Sequence, residues 1–388
     1  MAAAFRSKCD SLTESGRMVI VFANKEVAAW ETLISAVIRG GAVVTASWPI
    51  QTEREARSRG LASAALSSSV WIVCRKRSNS APPGWEENVL STMKEILFDP
   101  RETLGGRNIL QYYFDLGIQG PDFIWAALGP ALEAYSAHPF VKKTAGGIMT
   151  VPEFLKEVRR LVLQFSLGEL PGFRDVQRET QGRGESLDID AVTQYYLLHR
   201  AYFNLAPAPA GACILFANAC GKNETELRVV WNILEQGGKS KRGRPRIQEE
   251  DELEDEADEA PGSKGNEFRL LGWQERASAD GLGESRAGNA APLIDKLHRL
   301  MFLFQQNRAA EVQQNFEAWR LASEKAFKPL LQAVRELAVR DKQDPERRLV
   351  EALATQLRMN RKTIVAADGL KEVPLFDALE NEEPIRTN

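Results

Sequence analysis

The feature that most constrains this chain is a change of rhythm near residue 80. Before it, short apolar and β-branched runs surround one amphipathic helical stripe; after it, strand patterns fade and helical ones dominate. Met18 to Ala23 follows Gly16 and reads as a buried strand. Val27, Trp30, Leu33, Ile34, Val37 and Ile38 recur at helical spacing, and Gly40-Gly41 supplies the stop. Val43 to Trp48 and Ser69 to Cys74 read as a second and a third strand. A strand, a helix and a strand make a right-handed crossover, so the first two strands are expected to run parallel under the helix. The third is free to lie antiparallel to them, because 49–68 carries no strong apolar helical period.

Past Trp85 the strongest signal is Thr150-x-x-Glu153 ahead of Phe154, Leu155, Val158, Leu161, Val162 and Phe165, a capping box before an apolar stripe. Further helices are expected over 122–137, 190–203, 224–234, 293–305, 310–322 and 345–358. Gln236 to Asn266 is Gly, Ser, Pro and charge with hardly an apolar residue, and reads as a disordered linker. The expected organisation is an α/β region over 1–80, a helical domain over 81–235, the charged linker over 236–266 and a C-terminal helical region over 267–388. No fixed-period repeat is present.

A hydrophobic share of 44% with 27% charged residues over 388 positions is that of a globular protein with a sizeable core. Apolar runs such as Ile20 to Ala23 and Met301 to Phe304 fall far short of the roughly 20 residues of a membrane span. Met1 to Asp10 lacks the apolar region of a secretory leader, and Cys9, Cys74, Cys213 and Cys220 are scattered. These features point to a cytoplasmic protein with reduced thiols and no membrane partner. The net charge of -3 hides local asymmetry, with arginines at 54–59, Lys and Arg at 239–246, and acids filling 249–259.

Three stretches carry a family resemblance. They are Val19-Ile-Val-Phe-Ala-Asn-Lys with Ala29-Trp30-Glu31, then Thr45-Ala-Ser-Trp48-Pro49-Ile50-Gln-Thr52-Glu53-Arg54, and Ser69-Val-Trp71-Ile-Val-Cys74-Arg75-Lys76. Together they resemble the closing part of the adenine-specific DNA methylases that contain a zinc ribbon. Asp122-Phe-Ile to Glu133, Val192-Thr-Gln-Tyr195-Tyr196-Leu-Leu, Phe268-Arg-Leu-Leu and Leu293-Ile-Asp295-Lys-Leu-His298 are similar to that family's long helical tail. The resemblance implies an α/β region followed by a mostly α one. The α/β region would be a partial doubly wound methyltransferase-like sheet made of its last three strands, fifth, sixth and seventh, with the seventh antiparallel between the other two.

It also implies S-adenosylmethionine as cofactor of the complete protein, and DNA as substrate. Two motifs that such methylases use are missing here: the glycine loop after the first strand and Asp/Asn-Pro-Pro-Tyr after the fourth. Asp99-Pro100-Arg101 lacks the second proline and the aromatic. The adenine amine is a poor nucleophile until acceptors of that motif take its hydrogens and an aromatic stacks on the flipped base. The expectation is a C-terminal fragment, split-gene product or remnant that neither binds the cofactor nor turns over alone. Its partner would be an N-terminal methylase half or other subunits of a modification or phage-defence system. The alternative is a noncatalytic DNA-binding or scaffold protein of such a system.

Candidate nucleic-acid contacts fall in two places. After the second strand, Trp48 offers an apolar wall and Thr52, Arg54, Arg57 and Arg59 reach toward phosphates; equally, Trp48 caps the core and the arginines form a solvated face. In the linker, Lys241-Arg242-Gly243-Arg244-Pro245-Arg246 has the Arg-Gly-Arg-Pro core of an AT-hook, in which arginines lie along an A·T-rich minor groove. The competing reading is a basic linker that the acids at 249–259 mask or merely solvate. His138, His199 and His298 have no partner at metal-ligand spacing, and His199 and His298 read as packing residues, as do Tyr112-Tyr113 and Tyr195-Tyr196.

Overall fold

Strand β1 (Arg17–Phe22) is built from alternation: Met18, Ile20 and Phe22 turn inward, while Arg17, Val19 and Val21 turn out. In the computed structural model, residues 1–24, 27–51, 68–170, 172–174, 189–237, 267–276 and 281–359 are described, with the backbone of 361–366 and 369–374. Helix α1 (Ala2–Asp10) precedes β1, and α2 (Val27–Arg39) follows it and ends at Gly40-Gly41, where Gly41 takes φ 89°. Strands β2 (Ala42–Gln51) and β3 (Ser68–Lys76) complete a sheet of order β1-β3-β2. Both outer strands are antiparallel to β3 and therefore run the same way. Burial of Trp30, Leu33, Ile34, Val37 and Ile38 places α2 on one face of this sheet, over Val70, Ile72 and Cys74. Each such aliphatic side chain removed from water contributes about 1.5–3 kcal/mol.

The outer edge of β2 is closed by a helix. After β4 (Gly84–Trp85), α3 (Glu86–Phe98) and α4 (Ile109–Asp115) comes α5 (Gly120–Ser136), a helix buried almost all round. Two serines are exchanged between it and the strand. Ser136 Oγ accepts the Val44 N–H at 2.9 Å, and Ser47 Oγ accepts the Gly129 N–H at 2.7 Å while donating to the Trp125 carbonyl at 2.5 Å. Pro130 has no N–H to offer the Ala126 carbonyl, and Ser47 Oγ lies 3.2 Å from that oxygen as well. The strand's hydroxyl thus enters the helix ladder where proline interrupts it. Gly129 is required for this approach, since a Cβ there would lie 2.1 Å from the Ser47 nitrogen.

Strands β5 (Val141–Lys142) and β6 (Ile148–Met149) join β4 in a small sheet, and α6 (Val151–Gly168) starts at the expected capping box. Thr150 N–H donates to Glu153 Oε2 at 2.7 Å, and Glu153 N–H donates to Thr150 Oγ1 at 3.4 Å. Further on lie α7 (Ala191–Phe203), β7 (Ala208–Pro209), α8 (Ala210–Ala219), β8 (Leu234–Gln236), β9 (Glu267–Leu270) and α9 (Trp273–Arg276). The chain closes with α10 (Leu293–Gln305), α11 (Ala309–Ala318), α12 (Phe327–Arg340), α13 (Asp344–Gln356) and the hairpin β10 (Arg361–Ala366) and β11 (Gly369–Pro374).

Two compact units result. One comprises Met1–Val162, Ala206–Ala219 and Leu234–Arg269; the other comprises Leu163–Leu205, Cys220–Ile233 and Leu270–Asn388. In the second unit one carboxylate caps two helices. Asp190 accepts the Thr193 N–H of α7 at 2.8 Å and the Leu293 N–H of α10 at 2.9 Å.

Several expectations need correction. The helix expected over 224–234 is a π-helical turn, Glu226–Val230, and Asn232 at φ 48° turns the chain into β8. The helix expected over 310–322 stops at Ala318, before Arg320 at φ 53°. Strands also persist beyond Trp85: two three-stranded sheets whose strands run only two to four residues, too short to leave alternation to read, and the six-residue hairpin β10–β11. Of the linker expected over 236–266, Gln236 closes β8 and the Gly237 N–H donates to the Glu267 carbonyl at 2.8 Å, while 238–266 with its charge runs lies outside the described residues.

Candidate nucleic-acid interface

The sheet face opposite α2 presents a row of apolar side chains to solvent. Val21 faces Trp71, and Trp71 faces Trp48, as direct cross-strand partners on this face. Val21 is 53% exposed, Val19 49%, Trp48 41% and Trp71 39%, and Ile50 continues the row beyond Trp48. Adjacent exposed Val, Val, Trp, Trp and Ile form a contiguous patch rather than scattered single residues, which is the pattern of an interaction surface. Trp48 is supported from one side by Tyr113 of α4, edge to face at 5.8 Å; burial pushes the Tyr113 phenol up to about 12.

The sequence places Trp48 at the end of the second strand, leading a loop; the structure corrects this. Trp48 lies inside β2, which continues to Gln51 because 47–51 keeps pairing with 68–72 of β3. Its side chain therefore stands on the sheet surface, neither sealed in the core nor hung over a strand end. Thr52, Arg54, Arg57 and Arg59 fall in the β2–β3 connection, and Arg242, Arg244 and Arg246 in the charged segment; all seven lie outside the described residues. Among the described residues of this face the cations are Arg17 and Arg75, which are partners in register at one end. Arg75 is 3.6 Å from Glu133 of α5, and Arg17 donates to the Ser15 carbonyl.

Asn24, at the end of β1, is held by its backbone: its carbonyl accepts the Trp30 indole N–H at 2.7 Å. Trp30 in turn stacks on Trp125 at 3.9 Å and meets the edge of Phe22 at 4.8 Å. This aromatic stack fixes the covered face of the sheet. No family model, curated protein or solved structure matches the chain. The chemistry of the site rests on its own residues.

Among the described residues no group of three or more His, Cys, Asp or Glu is arranged to hold a metal ion. All four cysteines are buried free thiols, and burial pushes Cys74 and Cys213 up to about 12, so neither is a ready nucleophile. No helix of the described residues is long and apolar enough to cross a membrane.

The second unit holds a polar cluster with no local sequence signal. Arg276 is fully buried and donates to the carbonyls of Trp231 and Asn232, both at 3.0 Å, and it pairs with Asp295. It also reaches His298 Nδ1 at 2.8 Å. Arginine only donates, so Nδ1 is the acceptor and the imidazole proton sits on Nε2. His298 is held neutral: burial pulls its pKa well below the ordinary value, and Arg276 and Arg200 add to the effect. Arg200, also fully buried, forms a bidentate pair with Glu346 at 2.8 and 2.7 Å and bonds Asp341 at 2.9 Å. Tied by these bonds to neighbouring backbone and side chains, these groups read as the polar framework of the helices.

Proposed function

We propose that this chain is the C-terminal part, or a separate C-terminal subunit, of an S-adenosylmethionine-dependent adenine-specific DNA methyltransferase. The cofactor loop and the adenine-holding proline motif would come from a polypeptide segment other than this one. The observation that carries the reading is the sheet order β1-β3-β2, with β3 antiparallel between two strands that run the same way under one crossover helix. That is the arrangement the resemblance implies for the fifth, seventh and sixth strands of such a sheet.

The outer edge of β1, unpaired among the described residues, and the exposed apolar row beside it also favour the reading, because a contiguous exposed apolar patch is the pattern of an interaction surface. In this arrangement the chain contributes DNA-contacting residues and part of the sheet, and no catalytic group. The test has two arms. Calorimetric titration of the chain alone with S-adenosylmethionine should give no saturable binding, and co-expression with a polypeptide carrying the glycine loop and proline motif should yield a complex that methylates adenine. Binding by the isolated chain tighter than about millimolar, roughly 4 kcal/mol, would refute the division of labour.

A second reading, a noncatalytic DNA-binding protein, is favoured by the Arg-Gly-Arg-Pro core at 242–245. Replacing Arg242 and Arg244 with alanine should then weaken binding to A·T-rich duplex more than to G·C-rich duplex. Equal losses on both duplexes would leave only a salt-sensitive electrostatic contact.

A further inference from the structure

A polar cavity of about 290 Å³ opens at the other end of the sheet from Trp48, where β2 begins and β3 ends, beside the last turn of α1. Its walls include Arg6, Lys76 and Arg77, with Asp10 the single carboxylate among the lining residues. None of the three cations forms an ion pair within the described residues, and the formal charge around the cavity is therefore positive.

Both guanidiniums are anchored without being neutralised. Arg6 donates to the Arg39 carbonyl at 3.2 Å, and Arg77 donates through one nitrogen to the carbonyls of Ser136 and His138 at 3.2 and 3.1 Å. The Arg39 and Ser136 carbonyls end α2 and α5 and the His138 carbonyl lies two residues past α5, so none carries more than the partial negative charge of a helix terminus, about half a unit at most. A guanidinium has five N–H groups, and these bonds leave the others available to a ligand. Lys76 makes no bond among the described residues that would neutralise it. The cations also disturb one another: burial lowers the Arg77 pKa, the Cys9 thiol opposes that, and Arg6 adds to the lowering. Convergent cations held in place by neutral groups are unfavourable in an empty site and favourable around an anion.

We propose that this cavity binds a phosphate group, with Arg6, Lys76 and Arg77 as its charged ligands. Its volume is at the lower limit of small-molecule sites, roughly 300 Å³, so it would take a phosphate or pyrophosphate moiety and little more. Arginine supplies the forked donors that fit a tetrahedral oxyanion, and lysine adds a point charge. The same chemistry is offered by a small phosphorylated compound and by one phosphate of a nucleic-acid backbone. The proposal is independent of the methylase reading and stands or falls separately from it.

The probes are sodium pyrophosphate and a short DNA duplex, each titrated calorimetrically into the full chain. Pyrophosphate should bind saturably, and Arg6→Ala or Lys76→Ala should weaken it by about tenfold or more. If excess duplex leaves pyrophosphate binding unchanged, the ligand is a small phosphorylated compound; if duplex and pyrophosphate compete, and both are lost in the variants, it is a backbone phosphate. Arg6 is exposed and Lys76 half-buried, so both variants should fold, as thermal melting will verify. Should Lys76→Ala melt early, Arg6→Glu on the exposed helix gives the same readout. Absence of saturable pyrophosphate binding below about 10 mM, or equal affinity in wild type and in the double alanine variant, overturns the proposal.

Discussion

Ser47 and Gly129 are joined by a hydrogen bond that belongs to neither secondary structure: the strand's hydroxyl accepts the helix N–H at 2.7 Å and donates its own O–H to the carbonyl of Trp125. The link is sealed in the core, with Ser47 buried. Gly129→Ala should be among the most damaging single substitutions, since its Cβ would meet backbone atoms of Ala46 and Ser47 at 2.2 and 2.1 Å. A loss above about 4 kcal/mol is expected. Ser47→Ala removes the hydroxyl that faces the Ala126 carbonyl where Pro130 has no N–H, at about 1–3 kcal/mol, while the Gly129 N–H and the Trp125 carbonyl, four residues apart in one helix, can pair with each other. Urea unfolding of both variants measures the order; a Gly129→Ala protein as stable as wild type would show that α5 does not approach β2 so closely.

The edge of β1 that is unpaired among the described residues predicts self-association. The strand is apolar and has neither proline nor an inward charge, and its outward residues Val19 and Val21 are half-exposed. Val19→Lys or Val21→Lys should change stability little, because each is already in contact with water, but should shift the chain toward monomer at high concentration. Light scattering reads the change. A wild-type chain that stays monomeric, with slow hydrogen exchange along 17–22, would mean that this edge is covered in solution.

Two histidines should make the protein acid-sensitive well above the carboxylate range. Burial holds His199 down at about 3, and His298 is also well below 6.5. Both are neutral in the folded state but take up a proton on unfolding once the pH is below 6.5, so their contribution is intact above that value and is lost as pH falls. Each should add a slope of about 1.4 kcal/mol per pH unit. Denaturant unfolding at several pH values between 6.5 and 5.5, above the ordinary carboxylate range, should show it, and His298→Gln should remove close to half. A flat profile there would mean that these imidazoles are accessible to protons in the fold.

Arg200 and Glu346 give a different kind of test. Glu346→Ala strands a buried guanidinium beside Asp341 alone and should cost about 3–5 kcal/mol. Replacing the pair together, with Arg200→Met and Glu346→Leu, should recover most of that loss, since desolvating two charges offsets much of their attraction. If the double variant is as unstable as the single one, the pair contributes net stability that desolvation does not cancel.

Elements whose signal is local are readable from sequence. The apolar run predicts a buried first strand over 18–23, and the strand lies at 17–22 but alternates between exposed and half-buried residues; the first helical stripe runs to 38, and α2 ends at 39; the capping box opens α6 as read. Helix α8 escapes such a reading, because Ala210–Ala219 is apolar on every side and has no period. Helix α12 does carry a stripe, through Leu330, Val334 and Leu337, but Pro329 within its first turn disguises its start. For the interface, the sequence singles out Trp48 and passes over Trp71, though it is equally exposed: only the register puts the two side by side. The buried arginines are beyond reach for the same reason. Arg200 meets Glu346 across 146 residues of chain, and no short pattern announces such a pair.

The two units are each assembled from three stretches of the chain, threaded alternately. No single cut in the gene can release either one whole. A polypeptide stopped near residue 162 would lack Ala206–Ala219 and Leu234–Arg269 from the first unit, and one begun there would carry those stretches without the rest of that unit. Truncation mapping, the usual way to assign an activity to one part of a protein, would therefore report loss of folding here whichever unit holds the activity. Point substitutions, not deletions, are the instrument suited to this chain.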